Sequence, residues 1–283
     1  MKTTLSGSRA TKVPQFTLTA FITWAAAGVF VLVLLSVLGS VIVQSFADTW
    51  RATWWPDGLT LEWYQQALNN TGFTHSIIVT FEVAFAVVFL ALLIGVPAGY
   101  VLARRTFPFK GAVFLMLLLP IILPVMTYAT QLAALMYRVG LGGTLAAVIL
   151  VNLVPALPLV ILVTIPFVEQ ISPEVEDAAR VFGAARFQLF ARVLLPLLTP
   201  GVVAAGILAL VRVLGSFELT FFVSNAQTQT LVVVIFGAMA NPGGPPVSFI
   251  AAMTVFYMLI AFIGVFVSLR FSNPAQALSR SHR

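Results

Sequence analysis

The strongest constraint on this chain is the recurrence of long stretches with almost no charge. Leu18 to Phe46 contains no Asp, Glu, Lys or Arg, and comparable runs follow at about Ser76–Ala103, Gly111–Tyr137, Thr144–Phe167, Leu197–Val223 and Val247–Phe271. In hydrocarbon a backbone must satisfy its own polar groups, so apolar runs of about 20 residues read as membrane-spanning helices. The expected fold is an all-α membrane protein with six transmembrane helices. Residues 18–271 form the transmembrane domain, between tails at 1–17 and 272–283.

Composition agrees. The chain is 60% hydrophobic and 8% charged, whereas soluble domains carry about 25% charged residues. The first run is too long for a signal-peptide core and has no small-residue cleavage site behind it. There are no cysteines, and the two histidines, His75 and His282, are far apart. Disulfides and thiolate metal sites are therefore excluded, and a zinc site is not indicated. A net charge of +6 points in a membrane protein to basic loops on one side rather than to nucleic acid.

Those loops can be counted. Three Lys or Arg fall in each of four segments: the N-terminal tail, the 104–110 loop, the 168–196 loop and the C-terminal end. Only Arg51 and Arg138 fall on the other side. Twelve against two places both termini in the cytoplasm. The outer loop 47–75 holds Trp50, Trp54, Trp55, Trp63 and Tyr64, which suits a membrane–water interface. A short surface helix is expected at Leu59–Leu68, with Thr60 as its cap. Pro120 and Pro124 in the third span, and Pro155 and Pro158 in the fourth, predict kinks or unwound turns.

One charged island stands out. Ser172 to Pro196 holds Glu174, Glu176, Asp177, Arg180, Arg186 and Arg192 between two apolar runs. Ser172 and Pro173 form a helix start, the acidic residues suit its positive end, and Gly183 can end it in a left-handed turn. Val175, Ala178, Ala179 and Phe182 share one face. A second helix is expected at Ala184–Leu194, with Pro196 starting or bending the fifth span. This helix-turn-helix either docks into a groove on a soluble partner or packs on the bundle as a cap.

The spacing within the island is specific. Asp177-Ala178-Ala179 is followed by three residues, Gly183, nine residues, and Val193-Leu194-Leu195-Pro196. This resembles the EAA motif of the permease subunits of binding-protein-dependent ABC importers, with Asp for Glu and Val for Ile. The resemblance implies a type I ABC importer permease fold with a cytoplasmic coupling helix between helices 4 and 5. Glu176, Asp177, Ala178, Ala179, Gly183, Leu195 and Pro196 become the candidate ATPase-coupling residues. The implied partners are an ATP-binding subunit in two copies, a homologous second permease subunit and an extracytoplasmic solute-binding protein, in the bacterial inner membrane.

The chain lacks the Gly-x-x-x-x-Gly-Lys-Ser/Thr loop of an ATPase, and no nucleophile–base set presents itself. No catalytic residue and no cofactor is expected here; ATP and magnesium belong to the partner ATPase. Trp55 to Tyr64 and Gly215 to Ser224 resemble segments of the spermidine/putrescine branch, which implies a polyamine or related amine. Iron, phosphonate or opine-like solutes are the alternatives.

Three charges lie inside expected spans: Glu82, Arg212 and Glu218. Such charges face a cavity or a partner. With Phe217 they are the candidate translocation-pathway residues. Glu82 and Glu218 are expected at equal depth, where they would form an outer gate or cation site, or one of them would pair with Arg212. A stand-alone ion-coupled transporter using these charges is the rival class.

Overall fold

The computed structural model describes residues 18–51 and 53–271, so the two expected tails lie outside the described residues. The chain order is α1 (Leu18–Phe46), α2 (Glu62–Asn69), α3 (Thr71–Arg104), α4 (Lys110–Ile122), α5 (Val125–Arg138) and α6 (Leu145–Glu169). There follow α7 (Pro173–Val181), α8 (Arg186–Gln188), α9 (Leu195–Leu214), α10 (Glu218–Val223), α11 (Leu231–Ala240) and α12 (Val247–Phe271). Leu189–Leu194, between α8 and α9, is wound as a π-helix. Five helical stretches are long and apolar enough to cross a membrane, and α4 with α5 makes a sixth bent by 99°.

Prolines act differently according to what replaces their missing hydrogen bond. Pro124 leaves the Pro120 carbonyl without its helical donor, the chain turns at Leu123-Pro124, and the Tyr128 hydroxyl donates to that carbonyl at 3.1 Å. Pro155, Pro158 and Pro166 instead lie within an unbroken α6. Of the kinks or unwound turns expected at Pro155 and Pro158, no unwound turn forms, and both prolines are buried in the packing.

The centre of the molecule is the α3–α6 seam. A Cβ on Gly95 would lie 2.7 Å from the Val160 side chain, and one on Gly99 would lie 3.0 Å from Thr164 and 3.1 Å from the Ile161 carbonyl. The two helices therefore touch almost backbone to backbone, as small residues permit in membranes. Val79, Val83, Val87 and Ala91 of α3 join Val148, Val151 and Val160 of α6 and Ala205 and Ala209 of α9 in one buried core. Helix α1 lies outside this core, its large apolar side chains exposed from Phe21 to Leu38.

Contacts between loops sort the helix ends into two sets. Gln44 bonds Ser248, His75 meets the Gln227 carbonyl, and Gly143 N–H donates to the Val223 carbonyl. These mark one end of the bundle. Arg104 and Glu176 meet at the other. The 46–49 and 57–60 stretches pair, with Asp48 N–H donating to the Gly58 carbonyl and Thr60 N–H to the Phe46 carbonyl. The expected surface helix begins at Glu62, later than Leu59, and Thr60 Oγ1 accepts from the Glu62 N–H. Asn70 then caps α3, so the second span starts at Thr71 instead of Ser76.

The fifth span is not continuous to Val223. It stops at Leu214, because Gly215 and Ser216 are poor helix formers and the Tyr257 hydroxyl takes up the Leu214 carbonyl at 3.0 Å. Helices α10 and α11 follow as separate short pieces. Helix α11 had no counterpart among the spans expected from sequence, since at ten residues it is too short to register as one.

Candidate functional site

The charged island folds as one short helix and a turn. Helix α7 begins at Pro173 with Glu174 and Glu176 in its first turn, where their charge complements the helix dipole. Ser172 occupies the cap position, but its side chain makes no capping bond. Gly183 adopts φ +83, a left-handed conformation that side chains with a Cβ disfavour, and its N–H donates to the Arg180 carbonyl.

The expected second helix at Ala184–Leu194 is not an independent element. Residues 186–214 form one continuous stretch, so α8 is the projecting start of the fifth span. Pro196 accounts for the π-segment. It offers no N–H and would crowd the carbonyl four residues back, and the widened turn lets the Leu195 N–H reach Phe190, five residues back. Leu195 and Pro196 are exposed at the head of α9.

Around α7 the two acidic residues of the motif part company. Asp177 is exposed and its Oδ1 accepts from Arg180 at 3.0 Å. Glu176 is buried, with Oε1 2.7 Å from Arg104 Nε and Oε2 2.6 Å from the Tyr100 hydroxyl. Arg180 adds a longer contact to Oε2 at 3.4 Å. Arg104 also donates to the Ile171 carbonyl, and the Tyr100 ring packs edge-on to Phe190 at 5.8 Å. The end of α3 thus ties together the end of α6, α7 and the π-segment. The sequence reading missed Tyr100 and Arg104; an arginine at a helix end opposite an acidic loop was the available signal.

The expected shared face divides. Ala179 packs inward, whereas Val175, Ala178 and Phe182 are exposed. Val181 is 86% exposed, Phe182 90% and Phe187 81%, so three large apolar side chains crown the Gly183 turn. Beside them lies an open cleft of about 700 Å³ lined by Arg104, Arg105, Glu176, Arg180 and Arg186.

The charges inside the spans do not form the pairs weighed from sequence. Glu82 is exposed on α3, and no ion pair links Glu82, Arg212 or Glu218 to another side chain among the described residues. The helix count behind the equal-depth expectation changes: Glu82 lies eleven residues into α3, about 16 Å along it, whereas Glu218 opens α10 after the break. Because of that break, the angular separation of Arg212 and Glu218 along one helix has no meaning. Both lie in the neighbourhood of Tyr128 on α5. Phe217 joins Phe221 and Phe236 in an aromatic cluster with ring centres 4.4–5.8 Å apart. No group of three metal-ligating side chains occurs among the described residues.

A six-span bundle with one projecting, charge-anchored helix between the fourth and fifth crossings defines a class of membrane transport subunit. The chain belongs to the family of binding-protein-dependent transport system inner membrane components, the permeases of ABC importers, matched over residues 91–276. It is 33% identical over 184 residues to the sulfoquinovosyl glycerol transport system permease protein SmoH of Agrobacterium fabrum, covering 65% of each chain. It is 29% identical over 209 residues to the molybdenum transport system permease protein ModB of Escherichia coli, covering 68% of this chain and 90% of that one. Its fold matches a chain in the crystal structure of a bacterial ABC transporter involved in the import of the acidic polysaccharide alginate. There the TM-score is 0.74 at 15% identity, covering 92% of this chain and 99% of that one. The type I importer permease fold expected from sequence is the fold observed.

Proposed function

We propose that α7 and its Gly183 turn are the surface through which a separate ATP-hydrolysing subunit drives this permease. The exposed Val181, Phe182 and Phe187 carry this reading. Large apolar side chains at a loop tip outside the spans are costly in water and suit a groove on a partner. Asp177 and Arg180 supply a charged flank to that patch, and Ala178 presents little bulk. ATP and magnesium are held by the partner.

The assembly proposed is two ATPase copies, this chain, a homologous second permease and a solute-binding protein on the far side. The end bearing α7 faces the cytoplasm, as do both termini, and solute crosses the inner membrane by alternating access. Glu82, Arg212, Phe217 and Glu218 are proposed to line the pathway or the face toward the second permease. Two of them, Glu82 and Arg212, are charges exposed on the surface of this subunit, which would be costly against lipid.

For the solute, two lines diverge. The segments at 55–64 and 215–224 resemble polyamine permeases. The named relatives serve sulfoquinovosyl glycerol and molybdenum and give polyamine no support. Uptake of labelled spermidine, a sugar glycoside and molybdate by the assembled transporter separates the two.

The docking role is tested by Phe182→Asp and Gly183→Leu. The expected outcome is a subunit that still inserts in the membrane but no longer co-purifies with its ATPase, with ATP-driven uptake lost. Normal co-purification and uptake in both variants would overturn it.

A further inference from the structure

Helix α3 is fastened at both ends to segments that are far apart in the sequence. At one end Tyr100 and Arg104 hold buried Glu176 of α7 at 2.6 and 2.7 Å, and Arg104 also holds the Ile171 carbonyl at the end of α6. Toward the other end, buried Thr80 Oγ1 accepts from the N–H of Leu231, the first residue of α11, at 2.8 Å. His75 Nε2 lies 2.9 Å from the Gln227 carbonyl in the α10–α11 connection. Between these ends the Gly95 and Gly99 contacts fix α3 to α6. Helix α6 makes its own far attachment, with Asn152 Nδ2 donating to Thr220 Oγ1 of α10 at 3.1 Å.

The route through α9 is softer by comparison. Between α7 and α9 lie the Gly183 turn and the π-segment, and between α9 and α10 lies the break at Gly215. A push on α7 meets α3 through a charged, buried attachment, whereas it meets the head of α9 through apolar packing of Ala179 against the core that holds Leu189 and Leu194. Desolvated charge pairs resist separation, because either partner left alone is a buried unpaired charge.

We infer that the α3–α6 pair is the connecting rod of the subunit. Glu176, Arg104 and Tyr100 are the positioning residues that fasten α7 to it, and Thr80, alongside His75 of α3 and Asn152 of α6, fastens it to the α10–α11 segment at the opposite end. From Thr80 to Arg104 the rod spans 24 residues, about 36 Å of helix. Displacement of α7 reaches the far end through this pair, while the Gly183 turn and the π-segment absorb the relative rotation of α9. Glu176 is thus separated in role from its neighbour Asp177, which faces solvent.

The inference rests on the proposed docking of an ATPase at α7. The experiment uses the assembled transporter in proteoliposomes and reads ATP hydrolysed per solute moved. Co-purification of the ATPase with the unaltered chain tests the docking reading separately. Glu176→Gln is expected to leave ATPase activity in place and raise the ATP cost of uptake about tenfold, within the range by which coupling residues shift two-state equilibria. Thr80→Val, which does not touch α7, is expected to do the same.

The chain has no native cysteine, so R104C/E176C can be bridged by a short bifunctional thiol reagent. Bridging is expected to restore the unaltered ATP cost, because the rod is refastened covalently. An unchanged ATP cost in Glu176→Gln or Thr80→Val overturns the inference. So does loss of ATPase and uptake together in a Glu176→Gln chain that still assembles, which would make Glu176 a support for docking alone. A bridged R104C/E176C pair that stays uncoupled also overturns it, and this arm decides the matter if Glu176→Gln does not assemble.

Discussion

Tyr128 shows how one side chain can settle a backbone problem. Pro124 removes the hydrogen bond that the Pro120 carbonyl would receive in a continuous helix, and the Tyr128 hydroxyl replaces it at 3.1 Å. Tyr128→Phe should therefore lower the unfolding midpoint in detergent, by at most the roughly 1–3 kcal/mol cost of an unsatisfied buried carbonyl, since this one is part-buried. An unshifted midpoint would mean that another donor serves the site. At Gly183 the problem is conformational: φ is +83 and a Cβ would meet nothing within 4 Å. Gly183→Ala should cost about 1–2 kcal/mol through the left-handed backbone alone, seen as faster amide exchange in α7 with the bundle unchanged. Gly183 was legible from its place after an amphipathic run. Tyr128 was not, because its importance depends on a turn whose sharpness only the fold reveals. Glu176 and Asp177 were legible together as charge at a helix start, yet nothing in their spacing separates the buried one from the exposed one.

At the scale of elements, uncharged length located the spans and proline located one true break. What it could not show was continuity. The projecting α8 and the fifth span are one stretch from Arg186 to Leu214, whereas Leu197–Val223, read as one helix, is two. Continuity depends on who takes the orphaned carbonyls, and for Leu214 that is Tyr257 from another helix. The α3–α6 seam was hidden for the same kind of reason, since Gly95 and Gly99 read as ordinary small residues within an apolar run. Their contacts predict that Gly99→Val will push against Thr164 and the Ile161 backbone. Overpacking of this kind typically costs about 1–3 kcal/mol. The expected reading is a lowered midpoint together with reduced uptake. Gly111→Ala, at a helical position with open space around it, should not lower the midpoint and, through helix propensity, should raise it by up to about 1 kcal/mol.

At the scale of the molecule, charge and geometry give independent accounts of sidedness. The ion pair of Arg104 with Glu176 puts the 104–110 and 168–196 loops at one end of the bundle. The contacts of Gln44 with Ser248 and of Gly143 with Val223 put the 47–60, 143 and 223–248 regions at the other. That grouping owes nothing to counting lysines and arginines, yet the basic loops fall together. On the positive-inside tendency, the α7 end is the one proposed to face the cytoplasm. Single cysteines test this directly in a chain that has none. Ser172 is exposed and makes no capping bond, and Asn241 is exposed in the turn before α12, so Ser172→Cys and Asn241→Cys should both leave the fold alone. A membrane-impermeant maleimide should label Asn241→Cys in intact spheroplasts and Ser172→Cys only after the membrane is opened. The reverse pattern would turn the subunit over, exclude an ATPase at α7, and leave the exposed Val181, Phe182 and Phe187 facing the side from which solute arrives.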